Sequence, residues 1–301
     1  MSAQAVLFDT PGPKGRRNIA IGNIVGTVIV LGVLAWALVQ MGSKGQFDPA
    51  KWAVMVDPET WQFYFLPGLQ NTLTAAAYAI VLAMVFGLLF GVGRLASNSV
   101  IRGFCGLVVE FFRAVPVLIM MIAGWFSAAL LLNIPPEDAP LFGVVAGLTL
   151  YNGSVIAELV RSGVHGLPKG QREASLAIGM TRGQSLRSVE LPQALIAMLP
   201  SLISQFVVIL KDTALGYIIT YPELLRSARL VGSDAPFPIL QAMAVAAVLF
   251  IVINFLLSWA AGRLARRFGG RSSGSGKPAP RVGITTGLAG TADTRDETGG
   301  N

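Results

Sequence analysis

The sequence predicts an all-α integral membrane protein. Three observations carry that prediction: long apolar blocks, scarce charge, and basic residues gathered to one side of those blocks. Of 301 residues, 53% are hydrophobic and only 13% are charged, where soluble domains carry about 25% charged residues. A helix needs roughly 20 mostly apolar residues to cross about 30 Å of hydrocarbon. Blocks of that kind run through 19–41, 69–93, 104–132, 140–160, 194–220 and 239–262. They are read as helices because a helix satisfies every backbone amide within its own segment.

The first block exceeds the roughly 7–15 residues of a signal-peptide core, and no small-x-small cleavage site follows it closely, so it is expected to be retained. The second is the strongest of the rest on hydropathy. The fifth carries Lys211 and Asp212 and is the weakest. Glycines four apart at Gly22/Gly26, Gly87/Gly91 and Gly143/Gly147 permit close helix contact, and are expected to serve packing inside the chain.

The net charge of +7 reads as topology. Lys14, Arg16 and Arg17 precede the first block, and Arg94 and Arg102 follow the second. Arg161, Lys169, Arg172, Arg182 and Arg187 follow the fourth. Arg263, Arg266, Arg267, Arg271, Lys277, Arg281 and Arg295 follow the sixth. The opposite loops hold Lys44, Lys51, Arg226 and Arg229. The positive-inside rule then places both termini in the cytoplasm. Charge spread over loops in this way argues against nucleic-acid binding, which gathers it into one stripe.

Outside the blocks, 1–18 is expected to be an irregular cytoplasmic segment, because Pro11-Gly12-Pro13-Lys14-Gly15 disfavours regular structure. The outer loop 42–68 carries Trp52, Trp61, Phe63, Tyr64 and Phe65, an expected interfacial belt. Loops 133–139 and 221–238 are short. The tail 263–301 starts basic, and from Gly270 it is too poor in large apolar residues to fold. Cys105 is the only cysteine and His165 the only histidine, so neither a disulfide nor a zinc cluster is expected. Cys105 reads as apolar filling and His165 as a solvated loop residue. Gly276-Lys277 lacks the upstream glycine of a nucleotide-binding loop and is followed by Pro278, so the chain should bind no cofactor and should not hydrolyse ATP itself.

The cytoplasmic loop 161–193 is the most structured of the connections. Pro168 suits the first turn of a helix, and Gly179 stands where a left-handed cap would end it. Thr181 with Gln184 is a capping-box pattern for a second helix, with Leu186 and Val189 apolar on one side before Pro192. Two short helices at an angle are expected, facing the cytoplasm.

Glu173-Ala174-Ser175, then Gly179, Val189 and Leu191-Pro192 resemble the EAA loop of importer-type ABC permeases. Ser175 stands for the last alanine and Val189 for isoleucine. Glu110-Phe111-Phe112-Arg113 with Pro116, and Leu199-Pro200, Gln205-Phe206 and Leu210-Lys211-Asp212-Thr213-Ala214-Leu215, resemble segments of the polar amino acid permeases. The similarity covers about 68–265. The stretches 11–18 and 44–49 look like those of an actinobacterial glutamate permease.

The resemblance implies a type I ABC importer transmembrane domain over 69–262, a five-helix core with one extra N-terminal helix. It further implies two ATPase subunits holding ATP and Mg²⁺, a second related permease and an extracytoplasmic binding protein. Pro168, Glu173, Ala174, Ser175, Gly179, Leu191 and Pro192 would then couple the chain to the ATPase, and a polar or acidic amino acid, glutamate first, would be imported by alternating access.

Ionisable groups inside a bilayer cost at least about 2.5–3.5 kcal/mol on insertion scales and call for a reason. Glu110 and Arg113 lie three apart and can pair, with Pro116 placed to kink that helix. Lys211 and Asp212 are adjacent, so each needs a different partner. These four, with Gln205, either fix helix packing or line a substrate path. Glu158 and Arg161, three apart at the inner end of the fourth block, read as a gate or a structural pair, and Asn152, Asn254 and Gln205 as hydrogen bonds between helices. An ion-coupled transporter working without an ATPase would use the same charges, but its usual sign, interrupted helices in matching halves, is missing from the sequence. A membrane scaffold would leave the charges unexplained.

Overall fold

A computed structural model describes residues 12–269, which are helical throughout with short connections and no strand among them. Helix α1 spans Pro13–Ser43 and α2 spans Pro49–Val56. Helix α3 runs Pro58–Gly93. Helices α4 (Ser99–Ala114) and α5 (Val117–Leu130) follow, then α6 (Ala139–His165). Helix α7 is Lys169–Ala177 and α8 occupies 182–197. Helix α9 covers Leu199–Ile219, its last residues from Thr213 wound as a 3-10 turn. Helices α10 (Leu224–Ser233) and α11 (Ile239–Gly269) complete the described chain. Among the described residues, five helices are long and apolar enough to cross a membrane, and six spans result if the bent pair α4–α5 counts as one.

That pair departs from the straight helix expected over 104–132. Pro116 has no N–H to donate and forces Val115 into extended backbone, so the chain breaks there and turns by 101°. Asn98 starts α4 by accepting from the amides of Val100 and Ile101.

The N-terminal expectation is corrected at its edge. Pro13 occupies the first turn of α1, where its missing N–H is harmless, so 13–18 are helical. The tail expected to be disordered from Gly270 lies outside the described residues.

The core forms where α3, α5, α6 and α9 meet, around Ala79, Met121, Leu148, Ile156 and Leu202. Helix α6 is its axis. A Cβ added to Gly143 would come within 2.7 Å of the Met121 carbonyl oxygen, and one on Gly147 within 2.8 Å of the Met121 amide nitrogen. The Gly143/Gly147 and Gly87/Gly91 pairs therefore serve internal packing, as expected. Gly22/Gly26 does not: among the described residues nothing lies within 4 Å of either, and none buries a residue of α1.

A second cluster gathers Met55, Phe65, Leu224, Ala228, Val231, Ala242 and Ala246 at the other end. Phe65 is fully buried there, with Trp61 and Tyr64 packed against it, so these three are core rather than interfacial belt. Trp61 Nε1 donates to the Met55 carbonyl at 2.8 Å. Trp52 and Phe63 stay exposed. The loop expected at 221–238 contains α10, held by Glu223, whose two carboxylate oxygens accept from the amides of Leu225 and Arg226, each at 2.7 Å.

Candidate functional site: a helical loop and an ionic latch

The loop after α6 folds as its sequence predicts up to Pro192. Pro168 caps α7, and Gly179 takes φ +85°, a left-handed conformation costly for any residue with a Cβ. Thr181 and Gln184 form the reciprocal capping box. Pro192 then differs from expectation, because α8 continues through it to Ala197. A π turn over Leu186–Glu190 precedes the proline, loosening the ladder where the ring would otherwise strike a carbonyl.

Of the motif residues, Glu173 and Ala174 face outward and Ser175 faces inward, 4% exposed. Ser175 Oγ lies in hydrogen-bond contact with Ser185 Oγ, which donates to Glu190 Oε1 at 2.9 Å. This buried chain ties α7 to α8 and gives a physical role to the serine that replaces alanine. Sequence reasoning missed it, although Ser175, Ser185 and Glu190 are the polar residues that fall on the facing sides of the two helices. The tip between the helices carries Ile178, 77% exposed, beside Leu176 and Gly179. The tip of this braced loop thus presents an exposed apolar knob.

The second feature is ionic. The Glu110–Arg113 and Glu158–Arg161 pairs both form, and Arg94 joins them. Arg94, capping the C-terminus of α3, donates to Glu158 at 2.7 Å and to Glu110 at 3.1 Å. Arg161 reaches Glu158 at 2.6 Å and Arg113 reaches Glu110 at 3.3 Å. Arg113 also lies 3.9 Å from Glu158. Three guanidinium groups thus hold two carboxylates across α3, α4 and α6. From the sequence Arg94 contributes only to topology, since nothing in one sequence shows that the end of α3 meets α4.

The remaining charges stand apart. Among the described residues, the side chains of Lys211 and Asp212 make no hydrogen bond or ion pair, and none links them to the latch. Lys211 is exposed and Asp212 half-buried. Gln205 Nε2 donates to Asn152 Oδ1, a bond between α9 and α6 as expected. Asn254 instead donates to Phe250 within its own helix. Cys105 is buried against Gly93 as apolar filling. His165 ends α6 rather than sitting in a loop, its Nδ1 2.7 Å from the Arg161 carbonyl oxygen.

Comparison with known proteins adds the following. Residues 83–270 match the family described as binding-protein-dependent transport system inner membrane component. The glutamate transport system permease protein GluD of Corynebacterium glutamicum is 45% identical over 227 residues, covering 75% of this chain and 83% of that one. The probable glutamine ABC transporter permease protein GlnP of Bacillus subtilis is 33% identical, covering 66% of this chain and 91% of its own length. Among solved structures, an amino acid ABC transporter crystallised with histidines superposes with a TM-score of 0.61 at 25% identity, over 67% of this chain and 93% of that one. The MetNI methionine ABC transporter, inward facing, gives 0.60 at 22% identity over 70% and 99%, a likeness of fold.

Proposed function

Because the chain belongs to the family of binding-protein-dependent transport system inner membrane components, we propose that it is the permease subunit of an ATP-driven importer of glutamate. At the coarser level it is a permease subunit of an ABC amino acid importer and a multi-pass protein of the cell membrane. The substrate reading is supported by the 45% identity to a glutamate permease. In this reading six helices span the membrane, with α4–α5 as one bent span and both termini in the cytoplasm.

The observation that carries the coupling role is the braced loop 168–192 with its exposed knob at Ile178. An ATPase subunit would receive α7, with Glu173 and Ala174 on its outer face. ATP and Mg²⁺ belong to that partner, so the chain is not an enzyme in its own right. Closure of two ATPase subunits would drag the loop. The capping box and the Ser175–Ser185–Glu190 chain make the two helices move as one body and pass the motion to α6 and α9.

The latch of Arg94, Glu110, Arg113, Glu158 and Arg161 would hold the inner ends together. Lys211 and Asp212, whose side chains have no partner among the described residues, would meet substrate or a second, related permease across the path, with Gln205 earlier on α9. An extracytoplasmic binding protein would deliver substrate from the other side.

The test is ATPase activity and labelled glutamate uptake in proteoliposomes holding the co-expressed complex, native or carrying Gly179→Asp or Ile178→Glu. Native complex should import only with ATP and binding protein. Gly179→Asp strains a left-handed turn and Ile178→Glu charges the knob, so each should lose coupled uptake while the chain still inserts. Uptake by this chain without any ATPase, or normal transport by both variants, would instead favour an ion-gradient carrier using Lys211 and Asp212.

A further inference from the structure

A cavity of about 230 Å³ lies between the helical loop and the short turn joining α3 to α4. That volume is several times the ~30 Å³ a water molecule occupies in the liquid. Three cationic side chains, Lys169, Arg172 and Arg182, line it, with the His165 imidazole as a fourth nitrogen-bearing group. The one carboxylate among its lining residues is Glu190, already engaged by Ser185. Among the described residues, Lys169, Arg172 and Arg182 make no side-chain hydrogen bond or ion pair. The latch shows the alternative, three arginines balanced by two carboxylates. Here the positive charge has no such balance.

Unpaired cations around a concave pocket call for an anion. Two of the three are arginines, whose planar forks match phosphate oxygens in pairs. The first turn of α7 opens onto the same space and adds backbone donors that favour negative charge. We propose that this cavity binds a phosphate group, and that its occupant cross-links α6, α7, α8 and the α3–α4 turn and so sets the stiffness of the loop.

Two sources can supply the phosphate: the headgroup of an anionic phospholipid, or a free phosphate from solution. Position favours the lipid. Helix α6 has 27 residues, roughly 40 Å at 1.5 Å each, so its end at His165 emerges at headgroup depth beyond about 30 Å of hydrocarbon. Leu95, Leu167 and Leu186 give the cavity apolar walls suited to the start of an acyl chain.

Binding can be read on the full chain in neutral detergent, without ATPase or substrate, so failure here would leave the transport reading untouched. The probes are dihexanoyl phosphatidylglycerol and inorganic phosphate, followed by thermophoresis and by the unfolding midpoint. The expected result is saturable binding of at least one probe, weakened about tenfold or more by Arg172→Gln with Arg182→Gln, and less by Lys169→Gln. Arg187→Gln, which removes one charge from α8 outside the cavity, as Lys169→Gln removes one from its wall, should bind as the native chain does. Saturation by the lipid alone assigns a headgroup site, and saturation by phosphate assigns a soluble anion. No saturable binding of either probe, or an equal loss in Arg187→Gln, would overturn the proposal.

Discussion

Helices α1 and α6 are both long and apolar enough to span a membrane, yet the chain treats them oppositely. More than half of the most apolar stretch of α6 is buried inside the chain, and none of α1 is. Each carries a pair of glycines four apart. On α6 they let α5 approach to backbone contact, whereas on α1 they face open space. Hydropathy is common to both because it reports only that lipid is tolerable. Packing needs more: α6 intersperses Gly143, Gly147, Asn152 and Gly153 along its length, and these meet Met121, Phe86 and Gln205 on neighbouring helices. Among the described residues nothing packs along the middle of α1, so its apolar surface there is open to lipid or to another subunit.

The sharpest way to break this contrast is to fill the two glycine pairs. Gly147→Leu would drive its side chain into the Met121 backbone and Gly143→Val into the Trp125 amide, 2.9 Å from the new Cβ. Overpacking of that kind should cost about 3 kcal/mol or more, since backbone must move. Gly22→Leu or Gly26→Leu should change the unfolding midpoint of the isolated chain hardly at all. Tryptophan-fluorescence melting in detergent would report both. Equal loss from the two helices would mean that α1 packs on the body after all.

A smaller effect separates the helices through their charges. Glu158 on α6 holds Arg94 and Arg161 at once, and replacing it by glutamine leaves three guanidinium groups facing one remaining carboxylate, Glu110. The site is partly exposed, with side chains 13–57% accessible, so water offsets much of that repulsion. A loss of about 2 kcal/mol is expected, with faster hydrogen exchange at the adjoining ends of α3 and α4. Arg17→Gln on α1 should leave both readings as they are. If Glu158→Gln matched the native chain, the latch would be an incidental meeting of surface charges.

Much of this was legible in the residues. Span positions, the helix–glycine–helix loop and the i,i+3 ion pairs depend on local composition and spacing, which a sequence states directly. Arg94, the Ser175–Ser185 contact and the burial of Phe65 were not legible, because each depends on which helices touch. Pro116 and Pro192 show the limit from another side. Both lie in helical stretches, but one breaks its helix by 101° and the other is absorbed by a π turn. What decides between them is whether neighbouring packing tolerates a widened ladder, and local propensity carries no record of that.

The finest handle on the contrast is a buried ionisable group. Helix α1 leaves Asn18 and Asn23 exposed, whereas the body encloses Glu223 completely at the start of α10. Burial pushes that carboxyl up to about 7, against the pull of the Leu225 and Arg226 amides and of the Arg226 charge, which favour the anion. The folded value therefore lies above the unfolded one of 4.5. The native state binds the extra proton between those values, so the stabilisation is complete below the unfolded pKa and is lost as pH rises through the folded one. Between about pH 6 and about pH 8 the chain should lose about 1 kcal/mol of stability from this group. Glu223→Gln keeps one acceptor for the cap but cannot ionise, so its unfolding midpoint should vary less over that range, while an α1 variant such as Asn23→Gln, which adds no titratable group, should keep the native slope. A Glu223→Gln profile as steep as the native one would assign the pH response to another group and return Glu223 to a purely structural cap.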